Sequence, residues 1–148
     1  MRRLIVLLVL TGMWMPMMRT PEAIAGPNGP CSGEKFYVTQ KTPLLERNAK
    51  VKRLIRCVFN YGGIGSQAEF AITIATRESG LNPWAWNRWS DCRGLFQHLG
   101  RYWPARAAAL PRRFFPAWPN SSAFFARPNV WAAMQMVRAN GWGAWSTA

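Results

Sequence analysis

The sequence predicts a single, mainly α-helical domain, and three observations carry that prediction. Apolar residues recur at helical spacing in three separate stretches. Glycine and proline breaks fall between those stretches, and strand-like alternation is nearly absent. The chain has 148 residues, 49% of them hydrophobic, which is enough apolar material for one core.

Taken in order, residues 1–25 have the pattern of a secretory signal peptide. Arg2 and Arg3 precede an apolar run over residues 4–10, and Ala23-Ile24-Ala25 supplies a small-x-small cleavage site. The run is shorter than the roughly 20 residues of a membrane span. No lipid-attachment cysteine stands at the expected cut after Ala25. The expectation is a soluble monomer that is secreted, periplasmic or wall-associated, without stable membrane insertion.

Residues 26–42 read as irregular, with one short strand over 35–39. Residues 43–148 form the folded domain. Thr42-Pro43 supplies an N-cap and a first-turn proline. The helix that follows is expected to bury Leu44, Val51, Leu54, Ile55 and Val58. Arg47, Lys50, Lys52, Arg53 and Arg56 decorate its other faces as a solvated surface or a polyanion contact. Tyr61-Gly62-Gly63-Ile64-Gly65 ends it. Ser66 and Glu69 have capping-box spacing for the next helix, which Gly80 stops. A tryptophan-rich loop covers residues 82–98, and a helical piece covers 102–110. Pro111, Pro116 and Pro119 mark a loop reaching about Arg127. Asn129 is placed as the cap of a last helix with Val130, Ala133, Met134 and Val137 on one stripe, ended by Asn140-Gly141.

Outside the leader lie Cys31, Cys57 and Cys92. Any two can pair; Cys57 with Cys92 is the favoured bridge because the two flank the segment with candidate chemistry, leaving Cys31 over. His98 is the only histidine, and no His/Cys spacing fits a metal site, so neither metal nor cofactor is expected. The net charge is +13; without Arg2, Arg3, Arg19 and Glu22 of the leader it is +11. Such a surface suits a polyanion, whether nucleic acid, anionic membrane, or a bacterial wall with its acidic peptides and polymers. An export signal and the lack of a nucleic-acid motif speak against the first.

Chemistry concentrates at Glu78. Ala71, Ile74, Ala75 and Glu78 fall at i, i+3, i+4 and i+7, so a helix would turn this carboxylate towards the core. Burial and the negative end of the helix dipole both disfavour its charge, which suits a general acid. The competing reading is an acid that reaches solvent or pairs with neighbouring Arg77 at a frayed helix end. The loop beyond it mixes Trp84, Trp86 and Trp89 with Asn82, Asn87 and Gln97. Aromatic faces and side-chain amides of this kind bind sugars.

Glu78-Ser79-Gly80-Leu81-Asn82-Pro83, then Asn87, then Gly94-Leu95-Phe96-Gln97, resembles the signature of lytic transglycosylases in the lysozyme-like superfamily. Tyr102-Trp103-Pro104 and the ending Gly141-Trp142-Gly143-Ala144-Trp145 fit the same resemblance, which spans roughly residues 50–146. It implies a lysozyme-like domain that cleaves the β-1,4 bond between N-acetylmuramic acid and N-acetylglucosamine in peptidoglycan strands. Glu78 would be the single catalytic acid, giving 1,6-anhydro ends, with Ser79, Asn87, Gln97 and Tyr102 as substrate contacts. Two features depart from the pattern: Cys92-Arg93 precedes Gly94 where the family has a small residue, and the family's downstream tyrosine has no counterpart. A lysozyme-type hydrolase needs a second carboxylate, and Asp91 is the candidate. The alternative from another class is a non-enzymatic cationic protein that binds the wall or serves as a structural component.

Overall fold

The computed structural model describes residues 29–115 and 122–146. The leader, residues 26–28 and the prolines at 116 and 119 lie outside them. The described residues are mainly α-helical, as the periodicity requires. Helix α1 spans Leu44–Tyr61, α2 Ala68–Ser79, α3 Trp103–Ala108 and α4 Ala126–Asn140. Single 3₁₀ turns cover Glu34–Phe36, Gly65–Gln67, Gly100–Tyr102 and Gly143–Trp145. No helix among the described residues is long and apolar enough to cross a membrane.

The core is made where α1, α2 and α4 meet. Val51, Leu54, Ile55, Val58 and Phe59 from α1 face Ala71, Ile74 and Ala75 from α2, all buried. From α4 the expected stripe of Val130, Ala133, Met134 and Val137 is buried too. Met134 packs so close that a Cβ on Gly62 would lie 2.5 Å from its sulfur. Leu44 does not join the core: it lies in the first turn of α1 and remains 58% exposed.

Helix starts differ from the sequence reading at three places. Pro43, with extended ψ, is itself the N-cap of α1, and the Thr42 hydroxyl accepts the Thr39 N–H at 2.9 Å instead. The Ser66–Glu69 capping box is absent, because a 3₁₀ turn leads directly into α2. Glu69 instead receives the Arg56 guanidinium at 2.6 and 3.1 Å, and this exposed fork holds its carboxyl below the usual range. Helix α4 begins at Ala126, three residues before Asn129. Pro128 is tolerated in that first turn because its missing N–H would have no partner there.

Residues 35–39 are not a strand; Glu34–Phe36 is a 3₁₀ turn that buries Phe36. Strands occur instead within the tryptophan-rich segment, where residue alternation is absent. Trp86–Asn87 (β1), Cys92–Arg93 (β2) and His98–Leu99 (β3) form an antiparallel sheet in the order β1-β2-β3. Asn87 pairs with Cys92, and Cys92 with Leu99.

The disulfide joins Cys31 to Cys57, not Cys57 to Cys92. Arg53, one turn before Cys57, donates to the Lys35 carbonyl at 3.1 Å, so that face of α1 meets the N-terminal segment. Arg127 on α4 holds the Pro30 carbonyl at 3.0 Å and brings Cys31 inward. Cys92 is kept in the sheet ladder as a free thiol. Closing a span of 26 residues is worth roughly 3 kcal/mol on the chain-entropy account. A bridge of this kind fits a protein outside the reducing cytoplasm.

Candidate active site

Glu78 occupies the last turn of α2, and the chain reverses directly after it. Gly80 takes the left-handed conformation at φ 61°, and its N–H returns to the Thr76 carbonyl at 2.9 Å. Leu81 is also left-handed and its N–H reaches the Ala75 carbonyl, with its side chain buried. The turn thus points α2's end at the sheet. The Glu78 side chain is 15% exposed, as the helical spacing foretold. It also has the cationic neighbour of the competing reading: Arg77 Nη2 donates to its Oε1 at 3.1 Å. The same Nη2 donates to the Trp145 carbonyl at 2.7 Å. Both sequence readings therefore hold in part: the carboxylate is withdrawn from water and is paired.

Ser79 joins the two halves of the motif. Its Oγ lies 2.9 Å from the Ala75 carbonyl and 2.9 Å from the Leu95 carbonyl, so one hydroxyl bridges α2 to the 94–97 turn. That turn is fixed from its other side by Asn129. Asn129 is wholly buried; its Oδ1 accepts the Phe96 N–H at 3.0 Å, and its Nδ2 donates to the carbonyls of Ala123 at 2.8 Å and Arg93 at 3.2 Å. Gly94 is required twice over: its φ is 77°, and a Cβ would lie 2.2 Å from both the Ala123 carbonyl and Asn129 Nδ2. Leu95 and Phe96 are buried completely. Trp145 completes the joint by donating its indole N–H to the Phe96 carbonyl at 2.9 Å.

Sequence reasoning gave Asn129 a helix-capping role and missed this one. The available signal was an amide within an otherwise apolar helical stripe. His98 was missed as well. It is buried between Trp103, Trp145 and Phe96, with Nε2 3.1 Å from the Asn129 carbonyl and Nδ1 2.9 Å from Arg106 Nη1. An arginine donates only, so Nδ1 accepts and Nε2–H donates. Burial pushes its pKa down to about 3, opposed by the Asn129 bond and aided by the Arg106 charge.

The remaining expected contacts are spread along the sheet. Gln97, at φ 48°, turns its Nε2 back to the Gly94 carbonyl at 2.9 Å and the Ala85 carbonyl at 3.3 Å. Asn87 Oδ1 accepts the N–H groups of Trp89 and Ser90 at 3.0 and 3.3 Å, an Asx turn at the hairpin end. Tyr102 is half exposed, with the guanidinium carbons of Arg101 and Arg106 4.9 and 5.6 Å from its ring centre. Asp91 receives the Arg93 fork at 2.8 and 3.0 Å and the Trp86 indole at 3.1 Å. Its hydrogen bond from Arg93, chiefly, holds the carboxyl below its ordinary value.

Ser79 is therefore joined directly to the 94–97 turn, and Glu78 is linked to it through Ser79 beside it and through Arg77 and Trp145. Asn87, Asp91 and Tyr102 lie towards the opposite end of the sheet. Two surface hollows are lined by other residues than Glu78: one by Leu45, Asn48, Ala49, Lys52, Arg53 and Arg56, the other by Trp89, Ser90, Asp91, Leu99 and Arg101. Among the described residues no three His, Cys, Asp or Glu side chains group as a metal site. Comparisons with family models, curated proteins and solved structures found no match to this chain.

Proposed function

We propose that the chain is an exported, wall-cleaving lytic transglycosylase with a lysozyme-like domain and Glu78 as its acid. One observation carries this reading: the Ser79 hydroxyl bridges to the Leu95 carbonyl, so that a shielded carboxylate and the 94–97 turn belong to one structure. Two motif halves that are 16 residues apart in sequence are then parts of one site.

On this reading Glu78, protonated, donates to the glycosidic oxygen between N-acetylmuramic acid and N-acetylglucosamine. The carboxylate so formed takes the proton of the muramoyl 6-hydroxyl, and that oxygen closes on the anomeric carbon to give a 1,6-anhydro end. No water enters the products. Arg77 is bonded to Oε1, so bound glycan has to draw the guanidinium away before the first transfer. The Trp145 carbonyl gives Arg77 a second partner that outlasts this exchange. The single-acid route is favoured over the two-carboxylate one because Asp91 has both oxygens engaged by Arg93 and Trp86.

A Glu78→Gln substitution keeps the side chain's shape and removes the acid. Release of soluble fragments from purified walls is expected to fall at least about 1,000-fold, a loss in keeping with removal of a general acid, with an unchanged circular dichroism spectrum. Mass spectra of wild-type products are expected to carry anhydro ends. Reducing ends would assign the hydrolase alternative, and undiminished cleavage by the variant would remove Glu78 from the reaction. The exposed cationic and aromatic surface supports a second reading, a wall-binding protein without catalysis. That reading predicts that the Gln variant matches wild type in every assay.

A further inference from the structure

The three-stranded sheet has two unlike ends. At one, the Gly94 N–H bonds the Ala85 carbonyl, and Leu95 receives Ser79, next to Glu78. At the other, the Gly100 N–H bonds the Asp91 carbonyl, and Trp89, Ser90, Asp91, Leu99 and Arg101 surround a shallow hollow. The ladder between them is two residues long, or about 7 Å at the usual rise per residue.

Three properties of this far end go beyond what the fold requires. Trp89 is 100% exposed and has no ring partner among the described residues, whereas the other described tryptophans are at least partly covered. Arg101 stacks on Tyr102 and has no carboxylate partner among the described residues; Arg88 likewise stacks on Trp86. The one acid in the hollow, Asp91, is neutralised by the Arg93 fork and so does not cancel the charge of Arg101. The floor is fixed as well. A Cβ on Gly100 would lie 2.1 Å from Asp91 Oδ2 and 2.9 Å from the Arg93 guanidinium carbon, so this backbone approaches the ion pair as only glycine can.

We propose that this hollow binds a peptide carboxylate, with Arg101 as the anion receptor and Trp89 as the apolar wall. A planar guanidinium fork matches a carboxylate with two parallel hydrogen bonds. An exposed indole beside it covers the peptide's aliphatic part, the combination found in interface hot spots. A membrane would instead call for a longer apolar face bordered by several cations. The proposal deepens the wall-cleaving reading and rests on it for its setting: wall glycans carry acidic peptides, and one standing a short way along the strand from the reacting bond would reach this end of the sheet.

The test uses the full mature protein with Glu78→Gln, which prevents turnover, and ¹⁵N-labelled tryptophan. The Trp89 indole signal is identified by its loss in Trp89→Phe. A short peptide with an amidated C-terminus and one glutamate, its sole carboxylate, is titrated against its glutamine counterpart and against vesicles of anionic lipid. The expected result is a saturable shift of the Trp89 signal with the glutamate peptide, at least tenfold weaker with the glutamine peptide and in Arg101→Gln. Equal binding of the two peptides, an unaffected Arg101→Gln variant, or response to vesicles alone would each overturn the assignment. Retained wall cleavage by Glu78→Gln would overturn the catalytic reading and leave this binding result standing.

Discussion

The joint beneath Glu78 and the free end of the β1–β2 hairpin contain similar residues, namely an amide, an arginine and tryptophans. In the joint nearly every polar atom is satisfied within the fold. Asn129 makes three bonds, Ser79 bridges two carbonyls, and the Trp145 indole donates to Phe96. At the hairpin end the Trp89 ring and the Arg101 guanidinium face water. Burial accounts for the difference. A polar group inside the core costs about 1–3 kcal/mol if left unbonded, so the joint is obliged to be complete. The hairpin end has water as its partner and is under no such demand. A rigid frame thus presents one withdrawn acid, while the surface that is free to bind lies a few residues away.

The largest expected effect tests the frame. Asn129→Leu removes one acceptor and two donor contacts and leaves the Phe96 N–H and the Ala123 carbonyl without those partners, while the Arg93 carbonyl keeps its place in the sheet ladder. Urea unfolding is expected to show a loss of about 3 kcal/mol or more, summing the usual cost of such orphans. A loss below about 1 kcal/mol would mean that the 94–97 turn is held by its apolar side chains alone.

Acid tests the frame more gently. His98 has a folded pKa of about 3, below its unfolded value of about 6.5, so the unfolded chain binds more protons between those values. Stability is therefore fully present above about pH 6.5 and is lost as pH falls towards 3, with about 2–3 kcal/mol of that loss complete by pH 4.5. Asp91 adds a loss of the same sign at lower pH, reduced by its exposure. Chemical denaturation at pH 7 and pH 4.5 measures this difference. In His98→Gln the difference is expected to shrink to less than half; an unaltered pH dependence would place the acid sensitivity elsewhere.

The smallest effect belongs to the hairpin end. Trp89→Ala is expected to shift unfolding stability by no more than about 0.5 kcal/mol, the range of exposed positions without partners. A drop above about 2 kcal/mol would make Trp89 a member of the fold and the hairpin end no freer than the joint.

These differences also explain what the sequence made legible. The helices were readable because Val51, Leu54, Ile55 and Val58, or Val130, Ala133, Met134 and Val137, repeat with the helical period and meet other helices. Gly80 and Gly141 announced the helix ends through the backbone freedom that only glycine provides. Two-residue strands have no period, so the sheet was not foreseeable from alternation. The wrong disulfide came from position along the chain; the face of α1 that carries Cys57 is set by Arg53 and Lys35, a contact with no sequence signature. Asn129 was misplaced because an asparagine after a proline has the same look at a helix start as within a first turn. For Glu78 the spacing gave its burial, while the bond from Arg77 depends on where the Trp145 carbonyl lies, 68 residues further along.

That last separation has a consequence for the order of assembly. Ser79 and Leu95 are 16 residues apart, Asn129 and Phe96 33, Arg77 and Trp145 68. Entropy of ring closure grows with the span to be closed, so the Arg77–Trp145 contact is expected to close after those of Ser79 with Leu95 and Asn129 with Phe96. The guanidinium beside Glu78 is therefore placed late in folding, after the turn that Ser79 and Asn129 hold.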